Sequence, residues 1–193
     1  MKDKPYLVRV LPMVGTGLLL LLLAGTATGQ DASQSTVQVS STSASTDDQV
    51  TVTVQANDAD GNTLSSGGAE VEITTTGNGT LTTVMDNNDG TYIATLTSTT
   101  VGMATLSATI DGEAITGSQE PTVTFSPGAA SASQSTIGVS NTSISIDDPV
   151  TVIVRAKDAG NNNLSSGGAE VVITTTGSGT LTAVTDNNDG TYT

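Results

Sequence analysis

One stretch of this sequence is written twice. Residues 33–93 return as residues 133–193, every position displaced by 100, and only 17 of the 61 paired positions differ. A repeat at fixed spacing demands an array of like units, not one large fold. The period also matches the size of a single compact domain.

The differences between the copies carry structural information. In "QVTVTVQAN", residues 49–57, Val50, Val52, Val54 and Ala56 recur as Val150, Val152, Val154 and Ala156. The positions between them drift: Thr53 becomes Ile153, Gln55 becomes Arg155 and Asn57 becomes Lys157. One parity is held while the other varies, which is the period of a strand with one buried face. Of the positions assigned to the core, only Val37/Ile137 changes, and that swap adds one methylene.

The rest of the unit divides into short strands at about residues 35–40, 49–57, 69–76, 81–85, 91–98 and 103–110. A last strand at 114–125 is interrupted at Pro121. Inward positions include Val37, Val39, Ala69, Val71, Ile73, Tyr92, Ala94, Leu96, Ala104, Leu106, Ala108 and Ile110. Residues 41–48 read as a polar turn, and "NDADGN", "SSGG", "GNGT", "DNNDG" and "DGE" are rich in turn residues. Nothing after residue 30 shows a helical period. About seven strands with frequent turns predict an all-β fold of tandem antiparallel, immunoglobulin-like β-sandwiches. The domains expected are a first at 30–130 and a second at 131–193. The second halts at Thr193, the counterpart of Ile93, so it is expected to be incomplete and to reach only the start of its fifth strand, with further sequence following.

Residues 1–29 read as a secretory signal. Lys2, Lys4 and Arg9 form a basic start, residues 10–24 are apolar, and Ala24, Gly25, Ala27 and Gly29 offer a small-residue cleavage site. The apolar stretch is shorter than the roughly 20 residues that span a bilayer. No cysteine follows it, so a bacterial lipid anchor is ruled out. The expected location is therefore secreted or on the cell surface.

Charge narrows the partners. The net charge is −14, and beyond residue 30 only Arg155 and Lys157 stand against 18 acids, a balance of −16. Nucleic acid and anionic membrane surfaces need Lys and Arg and are excluded as partners. The composition suits a soluble extracellular β protein, or one adapted to high salt, where screening relieves self-repulsion. The chain has no cysteine, histidine or tryptophan. The usual general bases and nucleophile pairs are thus missing, and no enzyme is expected here. Glu70 and Glu72 share one strand face, but Glu72 is Val172 in the other copy, so they read as solvated carboxylates, not a glycosidase pair.

The only metal candidates are acidic turns. Asp58 and Asp60, with Asn62, offer oxygen ligands of the kind Ca2+ takes, although Asp60 is replaced by Gly160 in the second copy. Asp47 and Asp48 precede the second strand and could hold Ca2+ between domains. Turn chemistry explains all four without a metal, and no other cofactor is implied.

The run "STVQVSSTSASTDDQVTVTVQANDADGN", continued by "GGAEVEITTTGNGTLTTVMDNNDGTYIATLTSTTVGMATLSATIDG", resembles the bacterial Ig-like repeats of the invasin and intimin group. "DNNDGTY" at 86–92 and again at 186–192 is also similar to the filamin-type repeat. The resemblance implies a stalk of Ig-like domains in a bacterial surface protein, often an adhesin. Its partners would be neighbouring repeats and a host-cell or cell-surface ligand met by a module beyond Thr193. Invasin-type proteins carry a membrane barrel ahead of their repeats, whereas here the repeats follow the signal directly. Two other roles stay open: an accessory region of a secreted enzyme, and a ligand-binding module.

Overall fold

The computed structural model describes residues 29–193. It contains thirteen short strands and, among those residues, no helix. The expected signal sequence lies almost entirely outside the described residues. Within them no helix is long and apolar enough to cross a membrane.

The first repeat is a two-sheet sandwich. One sheet is built from β1 (Thr36–Val39), β3 (Val50–Gln55), β7 (Thr91–Thr97) and β5 (Thr80–Leu81), in that order, with β6 (Met85–Asp86) also on β7. The other runs β2 (Ser43–Ser45), β10 (Thr122–Ser126), β8 (Gly102–Ile110), β4 (Val71–Gly77), with β9 (Glu113–Ala114) also on β8. All pairings are antiparallel except β2 with β10.

The alternation read from the sequence sets the buried layer. Val50, Val52 and Val54 of β3 lie opposite Leu96, Ala94 and Tyr92 of β7. All six are buried, and across the sandwich they meet Ala104, Leu106, Ala108 and Ile110 of β8 and Val123 and Phe125 of β10. Each fully buried Val, Leu or Ile contributes about 1.5–3 kcal/mol relative to exposure. Aliphatic burial between two sheets therefore holds this unit together without a disulfide.

Four local expectations are corrected. Residues 41–48 are not merely a turn: Ser43–Ser45 adds a parallel edge strand beside β10, which half-buries Ala44. The strand expected at 81–85 is two short pieces, each paired to β7. The strand expected at 114–125 splits, because Glu113–Ala114 folds back on β8 and a fresh strand starts after Pro121. That hairpin places Ile115, not assigned to the core from sequence, at 8 % exposure, its amide donating to the Ala108 carbonyl at 2.9 Å. Val71 is only half-buried, since it opens the edge strand β4.

The second repeat keeps the register but not the sandwich. Its three strands are β11 (Thr136–Val139), β12 (Val152–Arg155) and β13 (Thr191–Tyr192). Ile137 pairs with Val154 as Val37 does with Val54, and Val154 with Tyr192 as Val54 does with Tyr92. The strands expected near 169–176 and 181–185 are not formed. In the first repeat β4 is held along its whole length by β8. No β8 counterpart exists among the described residues, and a strand without a partner leaves its backbone donors to water. Ile137 is accordingly 65 % exposed where Val37 is 6 % exposed.

Candidate functional site

The acidic turns singled out from sequence lie at opposite ends of the first repeat. Asp47 and Asp48 precede β3 and Asp58 and Asp60 follow it. Six residues of strand separate them by roughly 20 Å. The four carboxylates therefore do not converge on one ion. Among the described residues no group of three or more acidic side chains is arranged to hold a metal.

Each turn has its own use for its carboxylate. Asp58 accepts the Asn62 amide N–H at 2.8 Å, the Asp60 N–H at 3.0 Å and the Asn62 side-chain amide at 3.0 and 3.2 Å. These hydrogen bonds, the Asn62 side chain foremost, hold its pKa below the ordinary carboxylate value. Asp48 accepts the Ser45 N–H at 2.8 Å and its hydroxyl at 2.9 Å, which lowers its pKa too. Asp47 reaches out of the domain and accepts the Ala129 N–H of the linker at 2.7 Å.

The "DNNDGTY" turn is a second self-contained tie, identical in both copies. Asp86 accepts from Gly68 N–H at 2.8 Å and Asn88 N–H at 2.7 Å, and Asp186 does the same with Gly168 and Asn188, both at 2.8 Å. The Tyr92 and Tyr192 hydroxyls accept the Ala69 and Ala169 N–H groups at 3.0 and 2.9 Å. Gly67 and Gly167 pass so close to these aspartates that a β-carbon on either would lie about 2.1–2.2 Å from a carboxylate oxygen. The repeated motif is thus a structural clamp.

The arrangement that brings separate elements together is the joint between repeats. The loop after β12 folds like its first-repeat counterpart: Asp158 takes the Asn162 N–H at 2.8 Å and its side-chain amide at 2.8 and 2.9 Å. Here, however, the loop also meets the far end of the first repeat. Asp158 Oδ2 accepts the Thr46 hydroxyl at 2.7 Å and the Gly128 N–H at 3.0 Å. Asn162 donates to the Thr99 carbonyl at 2.9 Å. Gly128 also donates to the Thr46 hydroxyl at 2.9 Å, and a β-carbon there would run into Asp47. Asp158 is fully buried by these contacts, with 0 % exposure.

A buried carboxylate with no cation beside it persists only when its lone pairs are filled. Burial alone would raise the Asp158 pKa. The hydrogen bonds from the Asn162 side chain, the Thr46 hydroxyl and the Asn162 and Gly128 amides outweigh it and hold the pKa at about 2. The folded value lies below the free one, so the joint is at full strength above the free carboxylate range. It is lost as pH falls from about 4 towards 2. Acid titration followed by amide exchange at Gly128 and Asn162 should show these two opening before the core amides of β3. Simultaneous opening would contradict the assigned role of Asp158.

Sequence reasoning offered Asp47 only as a possible Ca2+ ligand between domains, where the structure sets its carboxylate on the linker amide of Ala129, and it missed Thr46, Gly128, Asp158 and Asn162 as one unit. The available signal was the pair of copy differences Thr46/Ile146 and Asp60/Gly160. Turn positions vary for many reasons, so these two did not stand out.

Comparison with known proteins follows the repeat. The profile of the family described as "Invasin, domain 3" matches residues 31–128 and again residues 131–193. Among solved structures, the Escherichia coli adhesin FdeC is 25 % identical with a TM-score of 0.60, over 84 % of this chain and 55 % of that one. Invasin, described as a bacterial integrin-binding protein, is 28 % identical with a TM-score of 0.57, over 85 % of this chain and 34 % of that one. The Yersinia pseudotuberculosis adhesin InvE is 26 % identical with a TM-score of 0.51, over 74 % and 40 % of the two chains. The present chain therefore spans between about a third and just over half of the length of these relatives. Curated protein sequences yielded no match.

Proposed function

The chain belongs to the invasin domain 3 family, and from that premise we propose that it is a non-catalytic spacer of tandem Ig-like repeats in a bacterial adhesin, exported to the cell surface. The observation that carries the reading is the joint. Two repeats are tied end to end through Asp158, Thr46 and Gly128, with the linker amides at Gly128 and Ala129 both bound, so the connection is braced and not free. Such a connection transmits distance and direction, which is what a spacer must do. The absence of His and Cys from the whole sequence fits a part without chemistry of its own. The relatives FdeC and InvE are described as adhesins, and invasin as integrin-binding. By this reading contact with a host cell belongs to other parts of the whole protein.

The test is direct. Fluorescently labelled chain is applied to cultured epithelial cells and to immobilised integrin over a range of concentrations. No saturable binding is expected to either. Saturable binding, competed by unlabelled chain, would replace the spacer with a ligand-binding module.

A further inference from the structure

We infer that repeat positions 46/146 and 60/160 encode which repeat can follow which. The joint makes two demands. The upper repeat must present a hydroxyl at position 46, because Thr46 donates to the buried Asp158. The lower repeat must carry no side chain at position 160, because a β-carbon there would lie 2.1 Å from the Thr99 carbonyl oxygen. That oxygen is backbone and also accepts from Asn162, so it cannot swing aside as a flexible side chain would.

The two copies meet these demands in one order only. The first repeat has Thr46 but carries Asp60 where the second has Gly160. Docked in the same way, its loop would press a second carboxylate against a carbonyl oxygen, which is steric overlap and repulsion together. The second repeat has Gly160 but carries Ile146 in place of Thr46. Isoleucine has no proton to donate, so an incoming loop aspartate would be buried one partner short. First-then-second satisfies both positions. First-then-first fails at Asp60, second-then-second at Ile146, and second-then-first at both.

Position 60/160 is not explained by the loop itself. The loop closes with either residue: Asp58 and Asp158 N–H both donate to the carbonyl four residues on, at Asn62 and Asn162, at 2.9 Å. The next residue is left-handed in both, Gly61 at φ 82° and Asn161 at φ 65°, and Asn tolerates that region. A β-carbon at 160 would also lie 2.8 Å from the Asn162 side-chain nitrogen of its own loop, but that is the end of a side chain, so the 2.1 Å approach to the Thr99 backbone carbonyl is the larger obstacle. The inference concerns the order of repeats and holds whether or not the array carries a binding tip.

The chain has no cysteine, so two can be introduced cleanly. Spin labels at Thr83→Cys and Ser166→Cys, one exposed position in each repeat, report the inter-repeat distance by pulsed electron paramagnetic resonance. The parent should give one narrow distance. Gly160→Asp and Thr46→Ile should each lose it, Thr46→Ser should keep it, and Asp60→Gly should leave it unchanged. Protection of the Leu164 amide, which donates to the Ala156 carbonyl across the second repeat's own loop, and of the Ala156 amide, which donates to the Gly190 carbonyl, should persist in Gly160→Asp. The β3–β7 ladder amides of the first repeat should likewise stay protected in Thr46→Ile, so that loss of the narrow distance in both variants reports the joint and not unfolding of either repeat. A narrow distance retained in Gly160→Asp or Thr46→Ile overturns the inference, as does a broad one in the parent.

Discussion

Val52→Asp is expected to unfold the first repeat at room temperature, while Thr53→Ile, one residue along, leaves its melting temperature almost unchanged. Val52 has 0 % exposure and lies across from Ala94 in the middle of the β1–β3–β7 layer. No basic residue belongs to the first repeat, so an introduced carboxylate has no cation to meet there. Burying an unpaired charge places the substitution among those costing more than about 4 kcal/mol. A small domain has only about 5–15 kcal/mol of stability in total. Thr53 belongs to the opposite parity and is half-exposed beside Ile93. Its replacement is the residue that the second repeat carries there, Ile153, at 40 % exposure. Calorimetry of the full chain separates the two outcomes. Equal loss from both substitutions would mean that the face of β3 has been assigned wrongly.

The second large effect comes from adding residues. Extending the chain after Thr193 with a copy of residues 94–126 is expected to convert the second repeat into a closed sandwich. In the first repeat those residues supply β8, β9 and β10, whose Ala104, Leu106, Ile110, Val123 and Phe125 face the β3 layer. The second repeat presents nearly the same layer uncovered, with Ile137 at 65 %, Val139 at 48 % and Leu181 at 44 % exposure. Full coverage is worth about 1.5–3 kcal/mol for each such side chain, and β8 would supply the ladder that residues 171–177 lack. Binding of a hydrophobic dye should fall sharply on extension, and the amides of 171–177 should become protected from exchange. Unchanged dye binding with unprotected amides would show that the exposed layer is not built to receive that second sheet.

Much of this was legible from the residues. The alternation in Val50, Val52, Val54 and Ala56, reinforced by its persistence in the second copy, identifies β3 and its buried face without coordinates. The turn residues of "DNNDG" locate a bend, and Tyr92 after them was assigned inward and is 2 % exposed. The strand at 43–45 was not legible. Ser-Ala-Ser has no apolar alternation, and it becomes a strand only because β10 offers a free edge. The doubling back that buries Ile115 was hidden for a similar reason. Glu113–Ala114 is too short to carry a pattern, and its pairing with β8 is a non-local event.

The candidate site divides along the same line. That Asp58 closes its own loop follows from the five residues of that turn, since the partners are four positions apart or fewer. That the matching Asp158 is also the buried centre of a joint does not, because Thr46 is 112 positions away.

By itself, the sequence determined the repeat, its all-β character and its buried face. These properties depend on side-chain periodicity and on turns, which are local and recur every few residues. Only the tertiary structure decided which sheet each strand joins, that residues 171–177 form no strand, and that one aspartate of two equivalent copies is buried between domains. Those outcomes depend on which surface arrives opposite a given residue. The same loop is solvated at Asp58 and desolvated at Asp158 because only the second has another repeat's hydroxyl and linker amide against it.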